Sequence, residues 1–218
     1  MTRTALVLAA GLLAAAGRAR AQETGGFAVL RGADTIAVEQ WAREDVSLEG
    51  TLVRGAGAPA ARERLRYHAT LVDDGSAPLL QLSAWRADDP DDHRARQMVR
   101  LIFKDDSVAV DDMRTGAGVM TRVLPTARAA IPYLNLSVAL LEQATRRAAR
   151  EHADSLAVPF FNLGGGQTVI GALVRAGADS TALRLGGVEF RLRVDGTGRI
   201  LGGAVPAQGL LILRTAAR

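Results

Sequence analysis

The chain has 218 residues, 48% of them hydrophobic, with 27 basic and 23 acidic side chains and no cysteine. The missing cysteines exclude disulfides, thiol nucleophiles, thiolate metal sites and the lipid-modified cysteine of a bacterial lipoprotein. Arginine alternates with aspartate and glutamate along the chain, which excludes nucleic acid as a partner, because such binding needs a clustered basic excess.

Met1-Thr2-Arg3 gives a positive start, Ala5 to Ala16 is unbroken apolar chain, and Ala19-Arg20-Ala21 is a small-x-small cleavage site. This is the layout of a secretory signal peptide over 1–21 with cleavage after Ala21, its apolar run being too short to span a bilayer. The expectation is a periplasmic or secreted protein starting at Gln22, with no stable membrane anchor after cleavage. Removing Arg3, Arg18 and Arg20 leaves 24 basic against 23 acidic side chains, so the mature protein is nearly neutral. Residues 22–218 suffice for a single β-rich domain with its own apolar core.

From Phe27 to Leu124 short apolar stretches alternate with turn signals, the rhythm of an all-β meander. Phe27–Arg31, Thr35–Arg43 and Ser47–Arg54 come first, followed by the Gly55-Ala56-Gly57-Ala58-Pro59 loop. Arg64–Val72 alternates cleanly, with Leu65, Tyr67, Ala69 and Leu71 on one face and Arg66, His68 and Thr70 on the other. Asp73-Asp74-Gly75-Ser76 turns into Leu79–Arg86, and Asp88 to Asp92 form another loop. Gln97–Lys104, Ser107–Met113 and Gly118–Leu124 complete this half.

The spacing then changes to that of an amphipathic helix near 134–152. Leu134, Val138, Leu141, Ala144 and Ala148 form one stripe, with Glu142, Gln143, Arg146, Arg147 and Arg150 opposite. Asn135 or Ser137 serves as the N-cap, and Glu142–Arg146 has the favourable i,i+4 order. A second meander occupies 157–215, with strands at Gln167–Arg175, Thr181–Leu185, Val188–Val194, Arg199–Leu201 and Leu210–Arg214. The connections are too short for βαβ crossovers. The fold class is therefore mainly β: a large curved antiparallel sheet of about 11–14 strands, an unclosed barrel, packed on one helix.

A meander, one central helix and a second meander ending in Phe190-Arg191-Leu192-Arg193-Val194-Asp195-Gly196-Thr197-Gly198-Arg199-Ile200 resembles a group of exported bacterial proteins. The group includes the LolA/LolB-type lipoprotein carriers and uncharacterised periplasmic families of the same plan. The resemblance is one of layout. It implies an apolar groove between sheet and helix that holds acyl chains, and it transfers no individual residue.

No motif specifies catalysis. Asp34-Thr35-Ile36 lacks the glycine of an aspartic-protease loop and reads as a hairpin turn. Gly164-Gly165-Gly166-Gln167-Thr168 lacks the lysine and following helix of a phosphate loop. Asp88, Asp89, Asp91, Asp92 and His93 have no EF-hand spacing, and His68, His93 and His152 have no second histidine at ligand distance, so no metal or cofactor is expected. Glu39, Glu49, Asp111 and Glu189 remain the carboxylates to test as a distant acid–base pair. The rings best placed to line an apolar groove are Trp41, Tyr67, Trp85, Phe103, Phe160 and Phe161.

The sequence favours a non-enzymatic exported binding module that holds a lipid or other apolar small molecule between sheet and helix. Two alternatives stay open. One is a secreted hydrolase with a carboxylate pair assembled by the fold. The other is a structural or partner-binding domain of the envelope using a free strand edge. Nothing in the sequence fixes the oligomeric state.

Overall fold

The computed structural model describes residues 22–55, 61–90 and 93–217. The signal peptide expected over 1–21 lies outside the described residues, as do 56–60 of the glycine-rich loop and Asp91 and Asp92. The strands are β1 (Glu23–Arg31), β2 (Asp34–Glu44), β3 (Ser47–Arg54), β4 (Glu63–Thr70), β5 (Leu79–Arg86), β6 (Gln97–Phe103), β7 (Ser107–Arg114), β8 (Gly118–Pro125) and β9 (Ile131–Tyr133). Helix α1 (Val138–Arg150) follows, then β10 (Ser155–Asn162), β11 (Gln167–Arg175), β12 (Ser180–Leu185), β13 (Val188–Val194), β14 (Ile200–Val205) and β15 (Leu210–Thr215).

All fifteen strands belong to one sheet in the order β8-β7-β6-β5-β4-β3-β2-β1-β15-β14-β13-β12-β11-β10-β9. Two meanders run outward from the middle, where β1 and β15 pair antiparallel, so the two ends of the domain meet at the centre of the ribbon. Among the described residues only β9 and β10 run parallel, over Phe160–Asn162. The sheet does not close into a barrel, because β8 and β9 are its two free edges.

The ends of the ribbon overlap instead. Phe160 and Phe161 are successive strand residues and point to opposite faces, yet both are fully buried, so both faces of β10 are covered at this point. Phe160 meets Tyr133 edge-on at 6.3 Å between ring centroids, while Phe161 meets Phe103 of β6 at 5.7 Å. Thr126, just beyond β8, hydrogen-bonds Thr168 of β11 through their hydroxyls at 2.8 Å, pinning one turn of the scroll to the other.

The helix lies in the core of this scroll. It starts at Val138, later than the expected 134, because Ile131–Tyr133 are drawn into β9 and Leu136 takes a positive φ of 70°. Ser137 is the N-cap, as one of the two expected residues, accepting from the Leu140 N–H at 3.4 Å. The expected stripe of Val138, Leu141, Ala144 and Ala148 is buried. A solvated opposite face does not exist: Glu142, Gln143 and Arg147 are buried as well, ten of the thirteen helical residues in all. The sheet curls far enough around the helix to cover both sides. Hydrogen bonds from strands and turns then satisfy the polar side, as burial requires. Among the described residues no helix is long and apolar enough to cross a membrane.

Candidate functional site

Cross-strand register arranges the concave face of β3–β8 in rows. One row runs Gly50, Tyr67, Leu82, Val99, Asp112, Met120, and its neighbour runs Leu48, Ala69, Leu80, Leu101, Val110, Arg122. Near β3 and β4 these rows lie in the sealed core. Further out they run into the overlap, where the β10–β11 turn stands opposite. Here Leu82, Val99, Leu124 and Leu163 face inward and pack against the core on one side, yet are only partly buried. The space they border is a cavity of about 320 Å³, floored by Leu65, Leu101, Val110 and Phe161.

The mouth of this cavity is polar. Arg54 pairs with Glu63 at 2.7 Å and donates to the Asn135 carbonyl at 3.2 Å. Arg114 pairs with Asp112 at 3.2 Å, and Asp112 also accepts from Gln97 Nε2 at 2.8 Å. Arg122 projects from the concave side of β8, is exposed, and has no hydrogen-bond or carboxylate partner among the described residues. The arrangement is a pocket with an apolar floor, ringed by two neutralised ion pairs and one uncompensated guanidinium.

Of the six aromatic residues singled out by sequence, Phe161 lines this cavity and Phe103 packs against Phe161. Phe160 lies on the other face of β10, against Tyr133. Trp41 and Tyr67 share a concave row across Gly50 and are both buried in the core. A Cβ on Gly50 would fall 2.3 Å from the Tyr67 ring, so the glycine is what lets that ring lie flat. Trp85 stands on the convex face, its indole N–H donating to the His93 carbonyl at 2.8 Å with Arg64 and Arg66 each 5.5 Å from the ring centre. The structure thus brings Phe103 and Phe161 together and separates the other four from them. The residues missed by sequence are the inward aliphatics of β5–β8 and Arg122.

Between helix and sheet lie voids of about 130 Å³ near Ala148 and about 30 Å³ near Leu141. Two buried carboxylates tie the helix in place. Glu39 of β2 accepts from Tyr67 Oη at 2.8 Å, Ser137 Oγ at 2.5 Å, and the N–H groups of Val138 and Ala139 at 2.8 and 2.9 Å. Burial pushes the Glu39 carboxyl above its ordinary value, with these four donors pulling the other way. Burial and the neighbouring Glu39 raise the Tyr67 phenol well above its own.

Glu142 accepts from Arg146 at 2.6 Å, from the Ile200 N–H at 2.8 Å and from Arg214 Nη1 at 2.8 Å. Arg146 and Arg199 both reach Glu23 at 2.8 Å, and the Arg214 guanidinium lies 5.1 Å from the ring centres of both Phe27 and Trp41.

The other carboxylates considered for acid–base work stand apart. Glu49 faces outward across from His68, Asp111 is held by Arg100 at 2.6 Å, and Glu189 lies between Arg184 and Arg191. Asp34 opens β2 at its hairpin, and Gly164 to Gly166 form the β10–β11 turn beside the cavity. Asp88 and Asp89 pair with Arg86 and Arg96. Among the described residues no group of three or more histidines, aspartates or glutamates is placed to hold a metal ion.

No family model matches the chain, and no curated protein matches it. Two solved structures share its fold. One is a DUF1089 family protein from Pseudomonas aeruginosa, 14% identical, with a TM-score of 0.53 over 94% of this chain and 98% of that one. The other is a β-barrel-like protein of the domain of unknown function DUF1849 from Brucella abortus, 8% identical, with a TM-score of 0.51 over 90% of this chain and 95% of that one. At these identities the likeness is one of fold: an unclosed, β-barrel-like sheet around a helix.

Proposed function

We propose that this protein is an exported, non-enzymatic binding module that shelters one apolar or amphiphilic molecule in the cleft between the overlapping ends of its ribbon. One observation carries the reading: Leu82, Val99, Leu124 and Leu163 face a common unfilled space of about 320 Å³. Globular interiors are normally packed to crystal density, so a group of inward-facing aliphatic side chains left partly exposed to one space is unusual. The volume falls at the lower end of ligand pockets, about 300–1,000 Å³. Each methylene taken from water into such a space gains about 0.8 kcal/mol. The sequence pattern of residues 1–21, read as a secretory leader, supports a periplasmic or secreted role. The binding space of this proposal lies in the overlap, whereas the sequence had placed it under the helix.

The test is uptake of the neutral fluorophore 1-naphthylamine by the purified mature protein, with native mass spectrometry for copurified lipid. Saturable uptake is expected, and Val99→Trp, which places an indole in the space, weakens it without loss of thermal stability. No uptake and no copurified ligand, or uptake unaffected by Val99→Trp, would overturn the reading.

A second reading, a partner-binding envelope domain, is favoured by strand β8. It is a free edge of the sheet, and it exposes Val119, Met120 and Val123 by half or more of their surface. Natural proteins usually protect such edges with charge, bulges or proline.

A further inference from the structure

We infer that the ligand of this cleft is a single-chain amphiphile with an anionic head, held by Arg122, and with a tail of about ten to twelve carbons; the inference rests on the binding reading above. The head group follows from the charge at the mouth. Arg54 and Arg114 are each neutralised by a carboxylate that also borders the cavity, Glu63 at 2.7 Å and Asp112 at 3.2 Å. Arg122 borders the same cavity without such a partner among the described residues. The mouth therefore carries one unit of positive charge in excess, on a planar donor suited to two oxygens of one anionic group.

Register places this charge correctly for the task. Arg122 stands opposite Val110 on β7, and Val110 stands opposite Leu101 on β6, so the guanidinium begins the row whose next members floor the cavity. A chain anchored at Arg122 runs directly over Val110 and Leu101 towards Phe161. The tail length follows from volume. A cavity of about 150 Å³ holds one benzene ring, so a cavity of about 320 Å³ has room for roughly twice that number of carbons. One such chain fills it, and a second does not fit.

The experiment displaces 1-naphthylamine from the wild-type protein, Arg122→Ala and Arg193→Ala with saturated acids of eight to sixteen carbons, the matching alkyl phosphates and the matching alcohols. Arg193 is an exposed arginine of β13 away from the cleft and serves as the control. The expected result is tightest binding near twelve carbons, with acid or phosphate about tenfold tighter than the alcohol. Arg122→Ala removes that preference, so that the variant binds acid, phosphate and alcohol alike, whereas Arg193→Ala keeps it. The tighter of acid and phosphate identifies the head. Equal binding of acid, phosphate and alcohol overturns the anionic head while leaving the cleft as a binding site. A preference surviving in Arg122→Ala overturns the residue assignment, and affinity still rising at sixteen carbons overturns the tail length. Failure of every amphiphile and of the fluorophore overturns the binding reading itself.

Discussion

Glu39 reaches from strand β2 to the hydroxyl of Ser137, 98 residues later, at 2.5 Å, and in doing so caps helix α1 from across the core. Its other oxygen accepts the first two helical N–H groups, of Val138 and Ala139, which no intrahelical carbonyl can satisfy. A negative group at a helix N-terminus also complements the helix dipole. The central helix is therefore oriented by a strand side chain as well as by its apolar stripe.

Replacing Glu39 by alanine strands two backbone donors and opens a void among Tyr67, Ser137 and the helix end. The expected cost is about 3–4 kcal/mol, because each buried unsatisfied donor costs about 1–3 kcal/mol. Glutamine is much milder, at about 1 kcal/mol. Its carbonyl can face the two N–H groups while its amide donates to the hydroxyls of Tyr67 and Ser137, which can turn to accept. Urea unfolding of both variants checks this, and equal losses would show that the cap geometry is not what matters.

The same carboxyl gives a pH signature. Burial, the largest influence, raises its folded-state value above the ordinary 4.5 despite four donors. Between the ordinary and the raised value the folded chain binds more protons than the unfolded one, so this contribution to stability is full below about pH 4.5 and is lost as pH rises through the folded value. Glu39→Gln lacks the titration, so the gap between wild type and this variant narrows, or reverses, as pH rises. Asp195 works in the opposite sense. Burial disfavours its charge, but Thr197 Oγ1 and the N–H groups of Thr197 and Arg199 outweigh it and hold the carboxyl low. Stability from Asp195 is present above its ordinary 3.8 and is lost as pH falls through the folded value. Unfolding of the wild type, Glu39→Gln and Asp195→Asn from pH 3 to 9 separates the two; a Glu39→Gln gap that stays constant with pH would contradict the assignment.

Strand β8 predicts self-association. Val119, Thr121 and Val123 point to the convex side, with Val119 56% and Val123 69% exposed, on an edge with free backbone hydrogen-bonding groups. Val123→Lys should lower concentration-dependent association in sedimentation or light scattering while leaving stability within about 0.5 kcal/mol. Association that is indifferent to Val123→Lys would place the contact elsewhere.

The legible parts of this fold are those where one face of a strand is buried. Leu65, Tyr67, Ala69 and Leu71 are all buried, as their alternation predicts, with Arg66 and His68 exposed between Leu65, Tyr67 and Ala69. The sequence pattern names no strand at β9 or β10. Both faces of β10 are covered at Phe160 and Phe161, which erases the period of two, and Pro159 argues against a paired strand. The structure accommodates that proline because β9 pairs only with Phe160–Asn162, just beyond it. The cleft was hidden for a different reason. Its lining comes from several strands, and its volume depends on how far the ribbon's ends overlap, which no local pattern encodes. A faint sign existed in β8, where Arg122 takes an inward position between Met120 and Leu124 while Val119 and Val123 take outward ones.

The Asp195-Gly196-Thr197-Gly198-Arg199-Ile200 stretch, common as a sequence, has a definite task here: it presses the β13–β14 turn onto the helix. The Gly198 carbonyl accepts from Thr145 Oγ1 at 2.6 Å, Arg199 pairs with Glu23 at 2.8 Å, and the Ile200 N–H donates to Glu142 at 2.8 Å. Gly198 has a φ of 81°, and a Cβ there would fall 2.4 Å from the Thr145 carbonyl oxygen and 2.6 Å from the Arg146 Cα. Both obstacles are helix backbone, which cannot rotate away as a side chain would. Gly198→Ala therefore combines left-handed strain with displacement of the turn from α1, and should cost about 2–4 kcal/mol. Gly196, two residues earlier in the same turn, has open space where a Cβ would go, so Gly196→Ala should change stability by about 0.5 kcal/mol at most. Thermal unfolding of the pair is the measurement. For a domain of this size about 1 kcal/mol corresponds to roughly 2–4 °C, so Gly198→Ala should melt at least about 4 °C below Gly196→Ala. Equal melting temperatures would mean that the turn does not bear on the helix.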